Sequence, residues 1–262
     1  MSLRLDMVLV AVTAALALRL SVLAALLPFF SARSVPVLWR LALAFVLAAA
    51  LAPAVRSALP PGGLDLSWPA VVAEATRSAL VGALLAFVIS IPFEVVKYAG
   101  QIIDVQIGFA IVNTIDPQSG LQISVLANLY YLLSALLFFA VDAHHVIVQS
   151  LIASCTLVPL FGPVDGGAAS WLLVQEFGAF FRLGLQVAAP CVLVLLLVSA
   201  AMGFIVKTVP QINILVVGFP IKIAVGLAVM GLSLPYFRQV FELLLRGMGG
   251  QLDRLLGALQ TG

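Results

Sequence analysis

Residues 94–122 read EVVKYAGQIIDVQIGFAIVNTIDPQSGLQ, a polar stretch punctuated by Gly and Pro in a chain that is 63% hydrophobic and only 9% charged. Glu94, Lys97, Gln101, Asp104 and Gly108 follow one another at steps of three, four, three and four, which places them on one stripe of a helix. Lipid does not tolerate such a stripe, so it must meet protein or water. Glu94 and Lys97 can neutralise each other, and Lys97 can reach Gln101. Two readings stay open: a self-satisfied polar seam between packed helices, or a face lining an aqueous path. The next residues, Phe109, Ala110, Ile111, Val112, Asn113, Thr114 and Ile115, are mostly apolar and β-branched. Pro117 disfavours a helical Asp116, so the helix should end at or before that point, and Gln118-Ser119-Gly120 then turns. Apolar side chains at the throat of a wet path can close it by dewetting. A buried helix–loop corner is the plainer alternative.

The flanking sequence sets the class. A mean hydropathy of +1.21 over 262 residues excludes an ordinary soluble domain, whose apolar share is nearer ~45–50%. Charge-free windows at residues 41–55, 78–93, 117–141, 183–206 and 223–237, with the N-terminal run, give about six segments long enough for the ~17–25 residues of a spanning helix. The expected fold is an all-α membrane protein with helices near 7–30, 36–56, 70–115, 122–157, 171–208 and 212–246. The first apolar run outlasts a signal-peptide core and has no small-residue cleavage site, so it reads as a retained helix. Cys155 and Cys191 sit in apolar surroundings and read as buried, inert thiols. The net charge of +2 is small and scattered, which argues against nucleic acid.

Arg238, Arg246 and Arg254 would place the C-terminus in the cytoplasm. Six spans would then put Arg33 and Arg40 on the far side, against the same tendency. The two Gly/Pro-rich stretches, residues 56–77 and 159–170, read as irregular loops. Near the C-terminus Phe237, Val240, Phe241, Leu244 and Leu245 share a face, and Glu242 can pair with Arg246. Beyond Gly247, Gly249 and Gly250 a short stripe of Leu252, Leu255, Leu256 and Leu259 follows. It reads as an amphipathic helix at a membrane surface or as a docking surface for a partner.

Enzyme motifs are scarce. No GxxxxGK[ST], HExxH or GxSxG is present. The best catalytic or metal candidate is Asp142-Ala143-His144-His145, but a metal site generally needs three or four converging ligands. A helix-end polar patch is the simpler account, and no cofactor is expected. In the last hairpin, Lys207, Pro210, Gln211 and Asn213 precede Gly218, Pro220 and Lys222. Two prolines and two lysines in an apolar stretch imply broken helices whose polar groups are satisfied. Such breaks also occur at transporter sites, so a conduit component and a small-solute transporter both remain open.

Three motifs resemble the FliR family of the flagellar type III export apparatus: AGQIIDVQIGFAIVNTIDPQSG at 99–120, LFFAVDAHHVIVQSL at 137–151 and MGFIVKTVPQINILVVGFPIKI at 202–223. Arg19, Pro28, the run at 36–40, the run at 158–160 and Ala189-Pro190 fit the same pattern. Virulence-secretion relatives share the Asp-Pro segment and the broken hairpin. Ala143 departs from the Gly usual before His in the flagellar pattern. The resemblance implies a FliP-like part over residues 1–170, a FliQ-like helical hairpin over 171–246 and a tail over 247–262. It implies one copy assembling with several FliP and FliQ subunits into an export gate of the bacterial inner membrane, at the flagellar basal body. FlhB and FlhA are then the further partners, and flagellar proteins pass through in transit. Subunit contacts rather than lipid would cover many apolar faces, which accounts for the conflicting arginines. The resemblance also implies a plug at residues 109–122, with Phe109, Ile111, Val112 and Ile115 closing it and Asp116, Pro117 and Gly120 shaping it. No covalent chemistry is expected; the alternatives are a secondary transporter built on Pro210 and Pro220, or a membrane enzyme centred on His144 and His145.

Overall fold

The computed structural model describes residues 6–28, 35–57, 65, 67–109, 124–162, 166–211 and 213–260. Among them the chain forms seven helices and no strand. These are α1 (Met7–Leu26), α2 (Val37–Ser57), α3 (Trp68–Ile107), α4 (Val125–Ala140), α5 (His144–Leu157), α6 (Gly166–Thr208) and α7 (Ile214–Gln260). Five are long and apolar enough to cross a membrane, or six if α4 and α5 count as one broken span. An odd count of five would bring the connection after α1 and the C-terminal end to the same side, removing the arginine conflict that six spans create.

Local chemistry explains the helix ends. Asp6 caps α1, its Oδ1 accepting from the amides of Val8 at 3.2 Å and Leu9 at 3.4 Å. Ser124 caps α4 by accepting from the Ala127 amide at 3.1 Å. α3 ends at Ile107, well before the expected stop near residue 115, because Gly108 turns the chain with φ +101°. The expected helix 122–157 is two helices: Asp142, at φ 56°, breaks it between Ala140 and His144. α6 begins at Gly166 rather than 171, so Gly166 and Gly167 are helical instead of loop residues.

α7 departs furthest from expectation. It runs unbroken through Gly247, Gly249 and Gly250 to Gln260 and carries Pro220 and Pro235 inside it. The hairpin is therefore broken at Pro210 and not at Pro220. Leu252, Leu255, Leu256 and Leu259 are buried by the chain itself. That stripe is neither a free membrane-surface face nor a docking face, because intramolecular packing has already taken it up.

The chain divides into two compact units, one of Met1–Ile91, Ala143–Glu176 and Gly247–Gly262, the other of Pro92–Asp142 and Phe177–Arg246. In the first, α1 packs along α2, and Asp6 at the start of α1 is ion-paired with Arg56 at the end of α2, so the two run antiparallel. Ala44, Ala48 and Ala52 recur every fourth residue on the buried face of α2, where small side chains permit close helix approach. Gly82 of α3 lies against the Arg19 backbone carbonyl, and an added Cβ would overlap it. Gly82→Ala is therefore expected to lower stability by about 1–3 kcal/mol. Thermal unfolding of the detergent-solubilised protein checks this, and an unchanged Tm would argue against the close crossing.

In the second unit, Phe93 meets Phe138 and Phe241 edge-on, with ring centroids 5.4 Å and 5.6 Å away. Tyr130 packs on Phe237 at 4.9 Å. Gly226 of α7 approaches Ile107 and Leu195 so closely that a Cβ there would overlap Ile107.

Candidate functional site

The polar stripe does not stay together. Glu94 and Lys97 form an ion pair at 2.7 Å with half-exposed side chains, and the Lys97 ammonium lies 5.9 Å from the Tyr131 ring centroid. Gln101 is exposed, and the same open face continues with Val105. Asp104 leaves the stripe. It is only 5% exposed, and its carboxylate accepts from the Ser124 hydroxyl and from the Leu126 amide at 3.3–3.4 Å. The stripe thus divides along the helix: Glu94 and Lys97 are half-exposed and Gln101 is exposed, whereas Asp104 is buried and seats the start of α4. Four residues earlier on the same face, Gly100 lies against the Leu126–Ala127 backbone, where a Cβ would overlap Ala127.

Phe109 is half-buried beside Gly108, and a Cβ at Gly108 would run into the Phe219 ring of α7. Ala110, Ile111, Val112, Asn113, Thr114, Ile115, Asp116, Pro117 and Gly120 lie outside the described residues. At the hairpin, Lys207, Pro210, Gln211, Asn213 and Pro220 are exposed, Lys222 is half-buried and Gly218 is buried. His144 and His145 open α5 with their ring centroids 4.2 Å apart, and Asp142 ends the first segment of the other unit.

The first unit holds a second polar constellation, of which Arg19 alone stood out in the sequence. Arg19 is 1% exposed, and its guanidinium donates to the Ser154 carbonyl at 2.8 Å and the Val158 carbonyl at 3.4 Å. Those carbonyls end α5, where a cation both satisfies orphan acceptors and complements the helix dipole. Glu74, also buried, accepts from Arg77 at 3.0 Å, from Ser78 at 2.9 Å and from the Phe161 amide at 2.8 Å. Arg77 also donates to the Pro159 carbonyl. Phe161 has φ 59°, a left-handed conformation disfavoured for a bulky residue, and the Glu74 hydrogen bond helps to hold it. Reading residues 56–77 as a loop concealed this cluster. The available signal was the spacing Glu74, Arg77, Ser78, which is one helix face within an apolar chain.

Buried Arg19 and Glu74 with half-buried Arg77, a carboxylate seating a helix start and long apolar helices describe a membrane protein whose polar groups serve architecture. Residues 10–248 match the family model described as bacterial export proteins, family 1. The chain belongs to that family. Among its relatives, this export protein is 32% identical over 238 residues to the flagellar biosynthetic protein FliR of Bacillus subtilis, covering 88% of this chain and 90% of that one. It is 30% identical over 236 residues to the protein of the same name from Escherichia coli, with 87% and 88% covered. The surface presentation of antigens protein SpaR of Shigella sonnei is 31% identical over 166 residues, 63% of this export protein and 64% of SpaR. The motifs at 99–120, 137–151 and 202–223 all fall inside the family match.

Proposed function

We propose that this chain is a core subunit of a flagellar type III protein export gate in the bacterial inner membrane, at the flagellar basal body. One copy assembles with several FliP and FliQ subunits into a protein-conducting channel, next to FlhB and FlhA. Exported flagellar proteins pass through it without covalent chemistry on this chain. Residues 1–170 serve as its FliP-like part and 171–246 as its FliQ-like hairpin.

One observation carries the assembly. On the part of α6 within the second unit, exposed apolar side chains recur from Phe177 through Leu185, Leu193 and Leu197 to Ile205. At ~1.5 Å per residue their contour is ~42 Å, against a hydrocarbon core of ~30 Å. Lipid of ordinary thickness leaves part of that surface uncovered, and apolar surface of this extent is a protein–protein interface. The exposed tip at Lys207, Pro210 and Gln211 is available to the same neighbours.

Closure falls to residues 109–122, in which Phe109, Ile111, Val112 and Ile115 form the apolar plug. The outward-facing Glu94, Lys97 and Gln101 line the path or an adjoining subunit. Native mass spectrometry of the chain co-expressed with FliP and FliQ from its own organism tests the reading. A defined heteromer with a single copy of this chain supports it. A stable monomer or homo-oligomer to which neither partner binds overturns it in favour of a solute transporter.

A further inference from the structure

We propose that α2 is the helix this chain keeps in lipid when the gate is assembled, and that bilayer acyl chains, not a further subunit, cover its open surface. This rests on the export-gate reading, which supplies the subunits around the rest of the chain. Between Arg40 and Arg56 α2 carries no charged residue, and the buried positions of that stretch are Ala44, Ala48, Ala52 and Val55. Phe45, Val46 and Leu47 are all exposed. With 3.6 residues per turn they point in three directions about 100° apart. The open apolar surface therefore runs most of the way around the helix.

Three features make lipid the occupant. The first is length: the 21 residues of α2 rise ~32 Å, which matches a hydrocarbon core of ~30 Å, whereas the apolar face of α6 overshoots it. The second is the position of the polar anchors, at the two ends and nowhere between. Exposed Trp39 and half-buried Arg40 mark one end, where the guanidinium donates to the Val35 carbonyl at 2.8 Å. Arg56, paired with Asp6, marks the other. Tryptophan and arginine at a helix end suit the headgroup level of a bilayer. The third is the sorting of residue size by face. The buried face is mainly alanine and the open one carries the large side chains, as in membrane helices that meet a helix through small residues and lipid through the rest. A single neighbouring helix covers one stripe, so a subunit would have to wrap α2 to replace lipid on Phe45, Val46 and Leu47 alike.

The test places nitroxide labels on Phe45→Cys and Val46→Cys, with the chain alone and in its complex with FliP and FliQ, both in phosphatidylcholine vesicles. It reads collisions with oxygen, which partitions into lipid, and with a water-soluble nickel chelate. Cys155 and Cys191 are buried, and the unsubstituted complex supplies the labelling background. Both labels are expected to meet oxygen at the same rate in the lone chain and in the complex, and to be shielded from nickel. A label on Leu193→Cys of α6 is expected to lose its oxygen collisions as the complex forms, which shows that assembly can exclude lipid. Loss of oxygen collisions at either α2 site on assembly puts a subunit there and overturns the lipid assignment, while leaving the export-gate reading standing. Nickel collisions at these sites put α2 in water and overturn it as well. Failure of the wild-type chain to bind FliP and FliQ removes the export-gate reading itself, and the lipid assignment within the gate with it.

Discussion

Glu74→Ala is expected to cost about 3–5 kcal/mol of stability, the cost typical of breaking a buried ion pair by removing one partner. The carboxylate is the acceptor for Arg77, Ser78 and the Phe161 amide, and it interacts electrostatically with Arg19. Without it, buried Arg19 and half-buried Arg77 are left with backbone carbonyls as their acceptors, and Phe161 loses the bond that helps to hold its left-handed conformation. Glu74→Gln keeps the shape and one strong acceptor, so it should lose clearly less. Thermal or SDS-induced unfolding of the purified protein measures the difference, and the amount of protein in the membrane gives a second readout. A loss below about 1 kcal/mol for the alanine variant would mean that the cluster is a solvated surface pair in energetic terms, contrary to its burial.

The second large effect concerns conduction. Replacing Phe109, Ile111, Val112 and Ile115 together by Gly or Ser should make the assembled complex leak ions continuously. An apolar constriction is closed because water leaves it; hydroxyls and bare backbone remove that barrier. Planar-bilayer conductance, with the subunit content checked on the same preparation, decides the point. Wild-type conductance from a fully assembled variant complex would mean that closure lies elsewhere.

Much of this protein is legible from local pattern. Long apolar windows give the helices and the membrane class, since a chain with so little charge has few other ways to satisfy its backbone. The Glu94–Lys97 pair was visible as well, because residues three apart on a helix are neighbours whatever surrounds them. Helix ends were less legible. Pro117 drew attention as a terminator, whereas Gly108 ends α3, and nothing in the sequence ranks a glycine's freedom above a proline's veto. The glycines at 247, 249 and 250 suggested a break, yet α7 continues to Gln260 with its leucines buried.

What the sequence by itself determined is periodicity and composition: which residues form helices, that the helices are apolar, and the ordered motifs that place the chain in its export family. Only the tertiary structure decided which face of each helix meets a neighbour. Arg19 acquires its acceptor 135 residues away at Ser154, Glu74 its amide donor 87 residues away at Phe161, and Asp104 its serine 20 residues away at Ser124. A stripe on a helix has the same spacing whether it faces water, lipid or another helix. The difference lies in contacts made by residues far apart in the chain, and those contacts separate Asp104 from the stripe to which its spacing had assigned it.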